Sequence, residues 1–325
     1  MGLYRKVIRI TAEDSPNVRR ALEQRAAGML PDGDIVIPGV ITWQEYCKRR
    51  ATWDAERQSV GLDAQFWEGQ ETLLYPPDWL NQAEIRAELL KSQKRLGPRS
   101  LGCDPAEGGD KTSWAVSDRL GLLALISKRT QDTSIITSET IAIAREWGVP
   151  PERWCFDRGG GGLAHADRLE LQGYKGIRTI PFGESLVPDP RHTPAMVEQR
   201  LEDKAQRYVY VKRRAQLFGE LSLILDPSLE ADGPRYAIPA GIMGLVGDPT
   251  TVLRDQLAPI PKTYDSDGRL FLIPKHKPTM NQKRTGDDRT LTKLIGHSPD
   301  EADAVVLSIH VLLHPAETNN AYVMF

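Results

Sequence analysis

The sequence predicts an α/β fold in which helices flank one mixed sheet, an antiparallel meander that continues into parallel crossovers. Between residues 101 and 126, three short apolar or alternating runs follow one another through tight turns, a pattern typical of antiparallel strands. Beyond residue 137, helical and strand patterns alternate, which is typical of parallel crossover units. We therefore expect a main domain over residues 96–325, preceded by a smaller N-terminal segment and linker over residues 1–95.

Length and composition are those of an ordinary globular protein. The chain has 325 residues, of which 40% are hydrophobic and 26% charged. Its net charge of −2 provides no global basic field, so a nucleic-acid surface has to be a local patch. The three cysteines lack CxxC or Cys/His spacing and predict neither a structural zinc site nor a disulfide framework. Neither a signal peptide nor a run of eighteen apolar residues is present, so we expect a cytoplasmic protein without membrane contact.

The N-terminal segment, residues 1–95, differs in character from the rest. Alternation predicts a strand over 6–10, and helical patterns cover 18–28 and a second stretch that begins at Thr42 and ends near Ala51. The Thr42 hydroxyl and Glu45 form a capping-box pattern. Because aliphatic periodicity is thin here, we expect the tryptophans of this segment to pack against another domain. These tryptophans are Trp43, Trp53, Trp67 and Trp79.

The first strand of the main domain ends in a carboxylate. Leu101–Asp104 is a short apolar run, and a Gly-rich polar turn then leads into the second strand, Ser113–Ser117, and a third over 121–126. A buried strand that ends in an acid before glycines suits a metal ion that must meet phosphate. The alternative is that Asp104 and Pro105 only end the strand and begin a turn. Asp110 in the same turn is either an auxiliary metal ligand or a turn residue.

A second acid ends a strand one crossover later. A helix over 138–147 precedes the strand Arg153–Asp157, and glycines occupy positions 159–162. If the two acid-bearing strands are parallel neighbours, about 5 Å apart, Asp104 and Asp157 face the crevice in which open α/β sheets bind ligands. The alternatives are a turn aspartate and a mobile or dinucleotide-binding loop, although no GxGxxG follows the first strand. A helix over 163–171 and a strand over 176–182 follow.

The next segments are rich in basic residues. A helix over 198–225 is basic in its first half, which we interpret as a solvated face in preference to a DNA surface, and carries an apolar stripe in its second. A short helix over 251–258 and a hairpin over 263–273 with an Asp-Gly turn precede a local basic run. Because cations neutralise phosphates, this run supplies the candidate DNA contacts. They are Lys275, Lys277, Lys283 and Arg284.

The last element is a helix with acids in its first turns. Ser298 as N-cap, Pro299 at N1 and Glu301 at N3 predict where it begins. Asp300 and Asp303 lie three residues apart and so project from one face near the positive end of the helix. Capping chemistry accounts for Asp300. Asp303, however, lies in an otherwise apolar stretch, where a carboxylate needs a compensating cation or metal.

Three motifs taken together resemble a known family. They are GCDPAEGGDKT (102–112), WCFD with its glycine loop (154–162) and SPDEADAVVLS (298–308). In combination they resemble the nuclease domain of the large terminase subunits of tailed bacteriophages, a member of the RNase H-like superfamily. The resemblance covers about residues 96–313 and includes Tyr210–Ala215, while residues 7–80 resemble the tail of the terminase motor half. Those proteins usually carry an N-terminal ATPase, but this chain has no GxxxxGKS/T phosphate loop and looks like the nuclease half alone.

The resemblance implies an endonuclease that cuts double-stranded, concatemeric viral DNA during genome packaging in the host cytoplasm. Asp104 would bridge two Mg²⁺ or Mn²⁺ ions, Asp157 would bind one of them, and Asp300 or Asp303 the other. The implied partners are a portal, a small terminase subunit and an ATPase motor domain or chain. The alternatives are another RNase H-like nuclease, such as a junction resolvase or a transposase-type strand transferase, and a catalytically idle component of a packaging machine.

Overall fold

A computed structural model describes thirteen stretches of the chain. They are residues 9–53, 55–65, 73–95, 97–106, 108, 110–129, 132–186, 210–227, 229, 236–244, 253–265, 269–276 and 289–315. Two compact units divide between Gln70 and Glu71. This division differs from the predicted one at 95/96, because the helix Pro77–Leu90 buries Leu80 in the core of the larger unit and packs Trp79 against it.

The N-terminal unit is a small group of helices. They are α1 (Pro16–Ala26), α2 (Trp43–Thr52) and α3 (Ala55–Gly61). Val18, Tyr46 and Leu62 form a buried cluster of their own, and the rings of Trp43 and Trp53 pack against it. The expectation that these two tryptophans pack against another domain was therefore wrong: a few aromatic rings suffice to cover so small a core.

In this unit, the predicted N-cap at Thr42 is confirmed, whereas the described residues of the predicted strand over 6–10 do not form one. The Thr42 hydroxyl accepts a hydrogen bond from the backbone N–H of Glu45 at 3.2 Å, as the capping pattern predicts. The Glu45 carboxylate pairs with Arg49 one turn further along. In the predicted strand over 6–10, residues 6–8 lie outside the described residues, and residues 9 and 10 are not part of a strand. Residue 67 also lies outside the described residues.

The larger unit is built on a five-stranded mixed sheet with strand order β3-β2-β1-β4-β5. Its strands are β1 (Arg99–Asp104), β2 (Lys111–Asp118), β3 (Gly121–Arg129), β4 (Trp154–Asp157) and β5 (Arg178–Ile180). The pairs β1–β2 and β2–β3 are antiparallel, whereas β1–β4 and β4–β5 are parallel. The predicted antiparallel meander that continues into parallel crossovers is confirmed.

Helices and a short hairpin surround this sheet. They are α4 (Pro77–Leu90), α5 (Ile135–Trp147), α6 (Gly162–Leu171), α7 (Arg213–Leu225), α8 (Ala240–Met243), α9 (Leu253–Leu257), β6 (Thr263–Tyr264), β7 (Leu270–Phe271), α10 (Leu291–Ile295) and α11 (Asp300–Leu313). Helix α7 corresponds to the second half of the helix predicted over 198–225; residues 198–209 lie outside the described residues. No described helix combines the length and the apolar character that a membrane span requires.

Each face of the sheet covers a separate hydrophobic core. Alternation along β1 directs Leu101 and Cys103 into the core on the side of α5 and α6. On this side, the Trp114 indole N–H donates a hydrogen bond to the Thr140 hydroxyl of α5 at 2.9 Å. The other core includes buried residues of α4, α7 and α11. The sheet is therefore the middle layer of three.

Helix α11 packs directly on β1 because Gly102 has no side chain. A Cβ at Gly102 would lie 2.2 Å from the Ala304 carbonyl oxygen and 2.5 Å from the Ser308 nitrogen. Hydroxyl groups reinforce the contact, since Ser100 donates to the Ser308 carbonyl at 2.6 Å. The two elements run in opposite directions, so the first turn of α11 lies beside the carboxyl end of β1.

Candidate metal centre

Two aspartates lie side by side where neighbouring parallel strands end. In the register of β1 and β4, Cys103 is paired with Phe156, and the next residue on each strand is Asp104 or Asp157. These strands are parallel neighbours, the arrangement on which the sequence-based argument for a shared crevice depended.

Helix α11 brings two more carboxylates to this point. Asp104, Asp300 and Asp303 each offer an oxygen atom, and these atoms lie within 4.8 Å of one another. All three side chains are buried; that of Asp303 is 1% exposed. A set of oxygen donors without sulfur or nitrogen suits hard divalent cations such as Mg²⁺ and Mn²⁺, so the residues present fit the expected ions.

Burial and mutual repulsion disfavour the charged forms of these acids. Burial raises the pKa of Asp104 well above its usual range, and the charges of Asp303, Asp157 and Asp300 raise it further. Burial also raises the pKa values of Asp157 and Asp300. A cation in their midst relieves both effects, because it favours the ionised carboxylates.

Two basic side chains provide such charges in this structure. Arg214, near the start of α7, contacts both carboxylate oxygens of Asp303 through Nη2, at 2.8 and 3.0 Å. The Lys275 Nζ lies 3.2 Å from Asp300, 3.3 Å from Asp303 and 3.9 Å from Asp104. Burial lowers the pKa of Lys275, but the charges of Asp303 and Asp104 outweigh that effect and raise it overall, so the ammonium stays protonated.

The position of Lys275 differs from the open basic surface that the sequence suggested. Its side chain is 26% exposed and its ammonium group points into the carboxylate cluster. The other predicted DNA contacts, at positions 277, 283 and 284 (Lys277, Lys283 and Arg284), lie outside the described residues. Asp110 is exposed at the beginning of β2, and its charge contributes to raising the pKa of Asp300.

The start of α11 differs by one residue from the capping pattern. Pro299, and not Ser298, occupies the N-cap position, so the prediction of Ser298 as the N-cap is wrong. The Ser298 hydroxyl instead donates a hydrogen bond to the Asp300 carboxylate. The Glu301 carboxylate accepts from Lys111 Nζ at 3.1 Å and from Gln256 Nε2 at 2.5 Å. Burial would raise the pKa of Glu301, but these hydrogen bonds lower it overall.

The glycine loop after β4 holds Asp157 and packs closely against the chain after β1. The Gly159 backbone N–H donates to Asp157 Oδ1 at 3.1 Å. Gly160 has a φ of +56°, and a Cβ there would lie 2.7 Å from the Pro105 carbonyl oxygen. At Gly162, a Cβ would lie 1.8 Å from the Asp157 carbonyl oxygen. Close backbone approach beside the acids accounts for the glycines at 160 and 162.

Three residues that contact these acids were not singled out from the sequence. Arg214 belongs to a basic run that we interpreted as a solvated face, Lys111 lies in the motif GCDPAEGGDKT without a role assigned to it, and Gln256 belongs to no motif. Each contacts an acid of α11 that is at least 45 positions away, as in the Gln256–Glu301 pair. Such long-range pairings leave no periodic signal in a single sequence.

Comparison with known proteins identifies the fold. No protein-family model matches the chain, and no curated protein matches it significantly. Among solved structures, the nuclease domain of the large terminase subunit gp2 of bacterial virus Sf6 is 19% identical, and the match covers 74% of this chain and 99% of that one with a TM-score of 0.53. Mutant forms of that domain, one with manganese and beta-thujaplicinol and one with calcium, match with the same coverage and TM-score at 20% and 18% identity. The chain therefore shares the fold of that nuclease domain.

Proposed function

We propose that this chain is a metal-dependent endonuclease that cuts double-stranded viral DNA during genome packaging. The observation that carries the proposal is the convergence of Asp104, Asp157, Asp300 and Asp303 from β1, β4 and α11 at one end of the sheet. The likeness of the fold to the Sf6 nuclease domain supports it. As partners we propose a portal, a small terminase subunit and an ATPase motor domain or chain, in the host cytoplasm.

The acids are suited to hold two Mg²⁺ or Mn²⁺ ions. Asp104 is the proposed shared ligand, because it lies beside Asp157 at the ends of neighbouring strands and its carboxylate lies within 4.8 Å of those of Asp300 and Asp303. Asp157 then binds one ion and Asp300 or Asp303 the other, with Asp110 as an auxiliary ligand. Held by these carboxylates, such ions would lower the pKa of an attacking water and stabilise the leaving oxygen of the phosphodiester.

The remaining side chains prepare the site for this chemistry. The Arg214 fork fixes the orientation of the Asp303 carboxylate through charge-assisted hydrogen bonds. Lys275 offsets the repulsion between Asp104, Asp300 and Asp303 and holds their oxygens close together. Lys277, Lys283 and Arg284 remain proposed phosphate contacts, and contacts of this kind bind DNA without reading its sequence.

Cleavage of supercoiled plasmid tests the proposal. We expect the full chain to linearise plasmid with added Mg²⁺ or Mn²⁺, to stop when EDTA is added, and to show little sequence preference at mapped ends. Asp104→Asn should abolish cutting, whereas Asp167→Asn, an exposed change on α6, should leave it intact. Plasmid nicking by Asp104→Asn at the wild-type rate would contradict the assignment.

The choice of DNA substrate separates the alternatives. A junction resolvase prefers branched DNA over the linear duplex of the same sequence. A transposase-type enzyme joins strands as well as cutting them, which appears as higher-molecular-weight products. A catalytically idle packaging component binds duplex DNA but leaves every substrate uncut at all metal concentrations.

A further inference from the structure

A second group of metal-binding side chains lies near the other end of α11. Glu220 of α7, His310 and His314 each offer one ligand atom, and these atoms lie within 4.8 Å of one another. Because an α-helix rises 1.5 Å per residue, His310 lies about 15 Å along α11 from Asp300. This group is therefore separate from the aspartate cluster, and its donors are nitrogen and oxygen where those of the aspartates are oxygen alone.

The three side chains are already in contact. Glu220 Oε2 is 2.8 Å from His310 Nδ1, and Glu220 Oε1 is 2.8 Å from His314 Nε2. The Gln216 amide nitrogen also donates to Glu220 Oε1 at 2.8 Å. Glu220 and His310 are buried, whereas the His314 side chain is 45% exposed. The group thus has a fixed inner part and one edge that faces solvent.

The carboxylate of this group is ionised at any ordinary pH. Burial alone would raise the pKa of Glu220, but the hydrogen bonds from His310 and His314 lower it to about 2. Each of these bonds places one proton between an imidazole nitrogen and a carboxylate oxygen. When a cation takes the place of the two protons, each neutral imidazole carries its proton on the ring nitrogen that faces away from Glu220, and two nitrogen lone pairs and a negative charge are directed at one region.

The spacing and the donor types match a transition metal of the Zn²⁺ class. His310, in the last turn of α11, and His314, its C-cap residue, are four positions apart, and their ring centroids lie 4.4 Å apart. Zinc bonds of 2.0–2.2 Å to nitrogen and oxygen place tetrahedral ligand atoms about 3.3 Å apart. The contacting pairs in this group, at 2.8 Å, have to separate by about 0.5 Å, and the remaining ligand atoms, which lie within 4.8 Å, have to reach the same spacing. Rotation of the half-exposed His314 ring can provide both changes.

We propose that Glu220, His310 and His314 form a binding site for a Zn²⁺-class cation, with solvent as the fourth ligand at the exposed edge. The ion joins α7 to the C-terminal end of α11. The His314 carbonyl also accepts a hydrogen bond from Arg178 of β5, so the site lies where three elements meet. The bound ion fixes the C-terminal end of α11, the helix whose first turn carries Asp300 and Asp303.

Cobalt is the probe that distinguishes the two kinds of site. The full chain without a polyhistidine tag is titrated with Co²⁺ in excess Mg²⁺, which occupies the aspartate cluster. We expect one equivalent of Co²⁺ to give the intense visible absorption of a four-coordinate ion with nitrogen ligands. Zn²⁺ should abolish this absorption by competition, and it should raise the unfolding temperature, because it binds only the folded chain.

His314→Gln is the decisive variant, because glutamine can still donate a hydrogen bond to Glu220 but lacks the imidazole ligand. We expect it to weaken Co²⁺ binding by at least about 10–100-fold and to unfold in EDTA at the wild-type temperature. The matched control His276→Gln, at an exposed histidine outside the group, should bind Co²⁺ as the wild type does. Equal Co²⁺ affinity of His314→Gln and wild type, or absence of the four-coordinate spectrum in the wild type, would overturn the proposal and leave a hydrogen-bond network only.

Discussion

Asp303→Asn and Asp104→Asn should change stability in opposite directions, although both remove one acid from the same cluster. Asp303 accepts hydrogen bonds from Arg214 on both of its oxygens, and the Arg214 side chain is only 12% exposed. Removing one partner of a buried ion pair costs about 3–5 kcal/mol, because the other charge stays buried. For a domain of this size, 1 kcal/mol corresponds to about 2–4 °C, so Asp303→Asn should lower the unfolding temperature by roughly 6–20 °C.

For Asp104, the unfavourable interactions of the charged carboxylate outweigh the favourable ones. Its charged form is disfavoured by burial and by the charges of Asp303, Asp157 and Asp300, and its contact with Lys275 is the longest of that lysine's three, at 3.9 Å. A neutral amide removes this repulsion, so Asp104→Asn should leave the unfolding temperature unchanged or raise it.

Calorimetry in EDTA at neutral pH measures this difference without any contribution from bound metal. Plasmid cleavage by the same preparations should be lost in both variants, which separates catalysis from stability. If Asp303→Asn unfolds at or above the wild-type temperature while Asp104→Asn unfolds well below it, the Arg214 pair does not outweigh repulsion and the reasoning fails.

Three further substitutions test other parts of the structure. Lys275→Ala should tighten Mn²⁺ binding by at least about tenfold in calorimetry, because a divalent ion then meets no competing ammonium; weaker binding would show that the lysine assists the ions. Gly102→Ala should cost about 1–3 kcal/mol or more in denaturant unfolding by forcing α11 away from β1, whereas Gly241→Ala, with open space around its Cβ position, should cost nothing. Asp300→Asn should reduce plasmid cleavage less than Asp303→Asn across a Mn²⁺ titration, because loss of the Asp303 carboxylate also leaves Arg214 without its partner beside the proposed ligands; the reverse order would make Asp300 the main ligand.

Much of the fold could be predicted from the sequence because its signals are local. Tight turns between residues 101 and 126 force consecutive strands to pair as antiparallel neighbours, and the helix between Ile126 and Trp154 makes the next strand a parallel crossover. The acids Asp104 and Asp157 were recognisable because each ends an apolar run before glycines. The glycine at 102 gave no such signal, since only the packed helix reveals why a side chain is excluded there.

The cations of the site could not be predicted, for a physical reason. The sequence argument for Asp303 was that a buried carboxylate requires a metal or a cation, and the structure supplies Arg214 from a helix 89 positions earlier. Burial of Asp303 therefore no longer distinguishes it from Asp300 as a metal ligand. The Glu220–His310 contact spans 90 positions and was missed in the same way, because cysteine and histidine spacing was sought only along the chain.

The charge balance of the aspartate cluster connects its structure to its proposed chemistry. Four carboxylates face two basic side chains, so the fully ionised group carries a formal charge of −2 from −4 and +2. Arg214 contacts Asp303 alone among these acids, whereas Lys275 lies between Asp104, Asp300 and Asp303, within the space enclosed by the proposed ligands. Of the two, Lys275 is also the more exposed. We expect its ammonium to move toward solvent when divalent ions bind, where it would meet the phosphates of the proposed DNA substrate.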